Sequence, residues 1–199
     1  MSRIARVVVP GYPHHITQRG NRRAQTFFSD GDYRAYIRFL AKEKELAEAE
    51  IWAYCLMPNH THVVVVPKRP DRLAALFKEA HRKYTRRINS RMRWSGHLWQ
   101  ERFHSFPMDE LHTFNAVRYV ELNPVRAGIC ETAQEWPWSS VHAHMRKEDD
   151  LLVRVEPMLQ RVKNWDAYLD EDVPESVLKL IRQHGRTGRP VGSEDFVRA

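Results

Sequence analysis

The stretch from Ile51 to Val66 constrains the fold more than any other part of the chain. Residues 51–56 are rich in β-branched and aromatic side chains, and residues 62–66 form a buried-type valine run; both have strand length. Met57-Pro58-Asn59-His60-Thr61 lies between them, with Pro-Asn as turn punctuation. Alternate side chains of a strand leave the same face, so His60 and His62 project together, anchored by the valines that follow. Two imidazoles side by side make a candidate divalent-metal site; two ordinary surface histidines are the plainer reading of the same spacing.

Around this pair the hydrophobic periodicity alternates. Residues 6–19 carry Val7-Val8-Val9 and His15-Ile16-Thr17-Gln18, broken by Pro10, Gly11 and Pro13, and predict one or two short strands before a basic turn at Gly20-Asn21-Arg22-Arg23. Tyr33, Tyr36, Ile37, Leu40 and Leu46 recur at helical spacing and predict a helix over 31–50. A second helix is predicted over 71–88, a strand over 103–108, and a third helix over 111–122 that stops before Pro124. This order predicts an α+β fold, an antiparallel sheet with helices on one face. The reading divides the chain into a domain at 1–145 and a charged extension at 146–199, helical at 175–183 and loop-like at 184–193.

With 42% hydrophobic residues the chain has enough apolar surface for a core, and its net charge of +7 favours a polyanionic partner. No span approaches the ~20 apolar residues needed to cross a bilayer. The first residues lack the apolar stretch of a secretion signal. Cys55 and Cys130 are the only cysteines. They form no CxxC pair, which argues against a structural zinc cluster, and a reducing cytoplasm is the expected compartment.

Tyr119 and Asn123 are four residues apart and share one face of the third helix. The Asn123 amide can complete a metal site one turn from the Tyr119 phenol; packing for the tyrosine and a helix cap for the asparagine form the structural alternative. Tyr84, among Arg82, Lys83, Arg86 and Arg87, is a rival nucleophile without a ligand-type residue one turn on. His14 and His15 are adjacent and point to opposite faces of a strand, so they do not chelate together. His142 and His144 read as ordinary polar residues.

Four segments together resemble the REP-associated branch of the single-tyrosine HUH transposases: Pro13-His14-His15-Ile16-Thr17-Gln18-Arg19-Gly20-Asn21, Met57-Pro58-Asn59-His60-Thr61-His62, Tyr119-Val120-Glu121-Leu122-Asn123-Pro124-Val125-Arg126-Ala127-Gly128, and Trp136-Pro137-Trp138-Ser139-Ser140. The resemblance spans about residues 5–145. It implies a ferredoxin-like core and Mg²⁺- or Mn²⁺-dependent cleavage of single-stranded DNA through a 5′-phosphotyrosine. Tyr119 would be the nucleophile and His60, His62 and Asn123 the ligands. It also implies hairpin-forming palindromic repeats as substrates. No small-molecule substrate and no membrane partner are expected, and monomer and dimer both stay open.

A DNA surface is expected from Lys78, Arg82, Lys83, Arg86 and Arg87 on the second helix, with Arg91 and Arg93 at its exit and Trp94, His97, Trp99 and Phe103 following. Arg19, Arg22 and Arg23 form a second group of phosphate contacts. Arg186 and Arg189 sit in a tail that resembles a minor-groove Arg-Gly-Arg-Pro hook with one extra residue. The competing function is a non-catalytic DNA- or RNA-binding regulatory protein on the same fold.

Overall fold

The computed structural model describes residues 6–198. The chain runs β1 (His14–Arg19), α1 (Asp30–Leu46), β2 (Ala49–Met57), β3 (His60–Pro67), α2 (Pro70–Met92), β4 (His104–Pro107) and α3 (Glu110–Glu121). Short helices follow: α4 (Asn123–Arg126), α5 (Val141–Arg146), α6 (Glu156–Leu159), α7 (Trp165–Asp170), α8 (Glu175–Thr187) and α9 (Glu194–Arg198). The sheet is antiparallel, in the order β2-β3-β1-β4, with β2 and β3 as a hairpin. This βαββαβ arrangement is the antiparallel α+β sheet that the element order predicts, in the ferredoxin-like form that the resemblance implies.

Alternation along the strands divides the core in two. Ile16, Val63 and Val65 face α1 and α2, where Tyr36, Leu40, Phe77 and Tyr84 pack. Val64, Ala53, Cys55 and Met57 face the other way, toward Ala116, Val117 and Val120 of α3. The two crossover helices thus lie on one face, as expected. The second face is covered as well, by α3 and by residues of the 146–199 segment, including Met158, Trp165, Tyr168 and Ile181.

The edge between α1 and α2 is held by charge. The Asp32 carboxylate is fully buried and accepts from both terminal nitrogens of Arg91, at 2.5 and 2.7 Å, with Arg87 at 3.8 Å. Lys83, one turn before Arg87, pairs with Glu43. The carboxylates are buried while their cations stay partly exposed, so removing Arg91 leaves a desolvated carboxylate short of a partner, at a cost of about 1–3 kcal/mol.

Element ends differ from expectation where pairing outweighs propensity. Residues 47–50 read as helix because alanine and glutamate favour it, yet α1 stops at Leu46 and Glu48 takes φ 51°. Ala49 and Glu50 then pair with Pro67 and Val66 in the sheet. Residues 6–13 form no strand; the Val9 amide donates to the His14 ring instead. Helix α8 continues past the expected 183 to Thr187 and is closed by Gly188 in the left-handed conformation. No described helix is long and apolar enough to cross a membrane.

Candidate active site

β3 enters the sheet at His60, and its pairing with β1 sets His60 opposite Arg19 and His62 opposite Thr17. Both imidazoles therefore leave the α3 face. There, α3 is capped by Asp109, whose side chain accepts from the His112 amide, and it carries Tyr119 over the histidines. The Tyr119 ring centroid lies 5.6 Å from that of His62, and the His60 and His62 rings are 5.0 Å apart, edge to face. The three side chains line one cleft of about 470 Å³. Among the described residues four arginines also line it, Arg19, Arg23, Arg182 and Arg186, against a single carboxylate, Glu101.

Hydrogen bonds on the far side of each ring fix what it offers to the cleft. Asn59 donates its amide to the Arg23 carbonyl at 3.0 Å, which turns its oxygen toward His60 Nδ1 at 2.6 Å. His60 thus carries its proton on Nδ1 and keeps Nε2 as a lone pair. His62 Nδ1 meets His15 Nε2 at 2.9 Å. With that shared proton on His62, its Nε2 is also a lone pair. His15 Nδ1 then has no partner among the described residues. An unpaired buried donor costs about 1–3 kcal/mol, and such costs concentrate at functional sites.

Burial keeps these rings neutral. It holds the His60 pKa down to about 4, helped by Arg19 and opposed by the Asn123 side chain. His62 lies well below its usual value through burial, then through His60, His15, Arg19 and Arg126. Neutral imidazoles are the form that binds a metal. The Asn123 amide nitrogen donates to the Tyr119 carbonyl at 3.3 Å, which leaves its oxygen as an acceptor beside His60. The cap alternative and the ligand alternative are thus compatible, since they use different ends of the amide. Two imidazole nitrogens and an amide beside them fit a divalent ion that takes its remaining ligands from water and phosphate.

The tyrosine helix is locked from behind. Glu121, two residues past Tyr119, is fully buried. Its Oε1 accepts from Ser140 Oγ at 2.5 Å and His144 Nδ1 at 2.7 Å, and its Oε2 from Trp165 Nε1 at 2.9 Å. Ser140 Oγ also accepts from the Tyr54 amide of β2 at 3.0 Å. The helix bearing the phenol is thereby tied to the sheet bearing the histidines. His144, an ordinary polar residue in the sequence reading, is fully buried in this network.

The expected DNA contacts divide. Arg19, Arg23 and Arg186 reach the cleft, whereas Arg22 and Arg189 are exposed outside it. On α2 the cations form two rows at four-residue spacing. Lys83, Arg87 and Arg91 pair with Glu43 and Asp32 of α1. Lys78, Arg82 and Arg86 line a second cavity of about 640 Å³, floored by Leu98, Trp99 and Phe103. Trp99 and Phe103 are core residues, Tyr84 is fully buried and donates to the Thr26 carbonyl, and Trp94 is half exposed. The sequence reading passes over Arg182, Gln100 and His104, which also line the cleft, and considers His15 only as a partner that cannot chelate with His14. For His15 the available signal is parity, since it shares a strand face with Thr17 and Arg19 once β1 is set beside β3.

Residues 9–123, which include His60, His62, Tyr119 and Asn123, match the model of a family described as "Transposase IS200 like". The chain is 24% identical over 123 residues to the REP-associated tyrosine transposase of Escherichia coli K12, covering 61% of this chain and 71% of that protein. It is 29% identical over 111 residues to a Haemophilus influenzae protein provisionally designated a REP-associated tyrosine transposase. That match covers 50% of this chain and 62% of the relative, less than two thirds of its length. A solved structure of a REP-associated tyrosine transposase bound to a REP hairpin shares the fold, with a TM-score of 0.64 at 24% identity over 76% of this chain and 90% of that one.

Proposed function

The chain belongs to the IS200-like transposase family, and from that membership we propose that it is a metal-dependent single-strand DNA endonuclease and strand transferase acting beside hairpin-forming repeats. Tyr119 is the nucleophile, and His60, His62 and Asn123 hold Mg²⁺ or Mn²⁺. One observation carries the reading: a phenol and two neutral imidazoles, far apart in the chain, share one arginine-lined cleft.

The Tyr119 oxygen attacks the scissile phosphorus. A tyrosine–phosphate bond forms as the bond to the 3′ oxygen breaks; the phenolic proton leaves and the departing oxygen takes one up. The phosphotyrosine conserves the diester energy, so attack by another 3′-hydroxyl rejoins strands without ATP. A divalent ion, when bound, supplies positive charge for the non-bridging phosphate oxygen. Imidazole nitrogen suits manganese better than magnesium, which prefers oxygen ligands. The chain's own part is positional. Asn59 and His15 orient the ligand rings, Asn123 spans His60 and the tyrosine helix, and Arg19, Arg23, Arg182 and Arg186 hold the phosphate backbone. The hairpin-bound relative supports a hairpin as the duplex part of the substrate.

The test is a labelled hairpin with unpaired flanks, incubated with Mn²⁺ or Mg²⁺ and run on a denaturing gel. The wild type yields a covalent protein–DNA adduct; Tyr119→Phe yields none and still binds the hairpin. Undiminished adduct in that variant refutes Tyr119. Absence of any adduct from the wild type favours a non-catalytic binding protein, and stronger capture of a matched RNA moves the substrate class.

A further inference from the structure

Beside the catalytic cleft a short ridge, the 3-10 turn Asn21–Arg23, separates two surfaces. Arg22 and Arg23 are adjacent, exposed and both left-handed, with φ of 54° and 60°. Two consecutive non-glycine residues in this region are costly, and such strain persists where the surroundings impose it. Here the surroundings are specific. The Asn21 amide donates to the Leu98 carbonyl, and Asn59 donates to the Arg23 carbonyl while accepting from His60. The conformation sends Arg23 into the catalytic cleft and Arg22 into a separate groove of about 320 Å³.

That groove is walled by Trp94, which stands edge-on to Phe28 at 5.7 Å and is 50% exposed. Trp94 is a large apolar surface held ready in the open. Its amide donates to the Asn89 carbonyl, and the Asn89 side chain donates to the Gly96 carbonyl, pinning the turn beyond α2. Among the described residues no carboxylate lines the groove. A rigid exposed indole, a cation beside it and no opposing negative charge together suit a stacked base with its phosphate.

We propose that Trp94 and Arg22 form a stacking subsite for one unpaired nucleotide of the strand that enters the catalytic cleft. Trp94 stacks the base, Arg22 meets its phosphate, and Arg23 carries the neighbouring phosphate into the cleft. The subsite rests on the reading of the chain as a single-strand DNA enzyme, but it is a binding claim and separable from cleavage. It also assigns different roles to the aromatics that follow α2: Trp99 and Phe103 build the core, and Trp94 meets the nucleic acid.

Binding is measured on the Tyr119→Phe background, so that nothing is cleaved. One hairpin is prepared blunt, with a short unpaired 5′ extension, and with a short unpaired 3′ extension. One extension strengthens binding relative to the blunt hairpin. Trp94→Ala removes about tenfold of that gain, in the range expected for loss of one base–aromatic stack; Trp94→Phe keeps most of it, and the blunt hairpin is unaffected. An abasic site at the stacking position abolishes the difference between Trp94 and Trp94→Ala. The proposal is overturned if Trp94→Ala binds both extended hairpins like its parent, or if neither extension adds affinity. Should the enzyme with Tyr119 intact form no adduct while Trp94→Ala still weakens the extended hairpin, the catalytic reading falls and the subsite stands.

Discussion

Replacing Glu121 with alanine removes the acceptor for Ser140 Oγ, His144 Nδ1 and Trp165 Nε1 in a region with no access to solvent. Each buried group left without a partner costs about 1–3 kcal/mol, so three give about 3–9 kcal/mol before relaxation. Breaking one side of a buried charged cluster costs about 3–5 kcal/mol, which selects the lower half of that range. Glu121→Ala is therefore expected to lose about 4 kcal/mol, a fall in melting temperature of roughly 8–16 °C for a chain of this size. Glu121→Gln keeps the volume and is expected to lose about half as much. Indole can only donate, so the new amide oxygen must face Trp165 and its NH₂ must face Ser140 and His144. The serine hydroxyl accepts by rotating. The imidazole accepts only by moving its proton to Nε2, which has no partner among the described residues. Urea denaturation followed by circular dichroism, with equal slopes required, measures both. A loss under about 1 kcal/mol for alanine, or glutamine less stable than alanine, refutes the account of this network.

The histidine pair is tested by His60→Ala with His62→Ala. Metal-dependent nicking and Mn²⁺ binding by electron paramagnetic resonance are both expected to vanish, and nicking at the wild-type rate would exclude these ligands. Burial lowers the pKa of His14 to about 4 and of His15 and His81 to about 3. The unfolded chain, with histidines near ~6.5, binds more protons below that pH. Stability is then complete above about pH 6.5 and falls toward pH 4 by about 1.4 kcal/mol per pH unit for each ring. Equal urea midpoints at pH 7.5 and 5.0 would contradict this. At Gly20 a Cβ would lie 2.2 Å from the Ala24 carbonyl oxygen. Gly20→Ala is expected to displace the ridge at a cost of about 1–3 kcal/mol and to weaken hairpin binding through Arg23; unchanged stability and affinity would show that the ridge tolerates the shift.

Much of this was readable because the informative residues lie on regular elements. His60 and His62 share a strand face by parity alone, and Tyr119 lies on a helix that periodicity predicts; Asn123 falls past the end of that helix, at the start of α4. What stayed hidden depends on contacts between distant segments. His15 joins the site only because β1 is set against β3 in one register, and beside His14 it looks like half of an incompatible pair. The α2 cations read as one surface until the carboxylates of α1 appear opposite half of them. Arg182 lies in a weakly patterned segment, and nothing local says that α8 will fold back against the cleft. Glu121 reads as one more charge on a helix; its burial is decided by Ser140, His144 and Trp165.

The pairing of β1 with β3 has a consequence for how this protein fails. A slip of one residue would turn both imidazoles toward α1 and α2 and push Val63 and Val65 out of their core. The same apolar packing that selects the fold thus aims the chemistry, and neither can drift while the other is kept. On heating, ligand geometry should persist until the sheet itself melts, so inactivation and global unfolding share one transition instead of arriving in sequence.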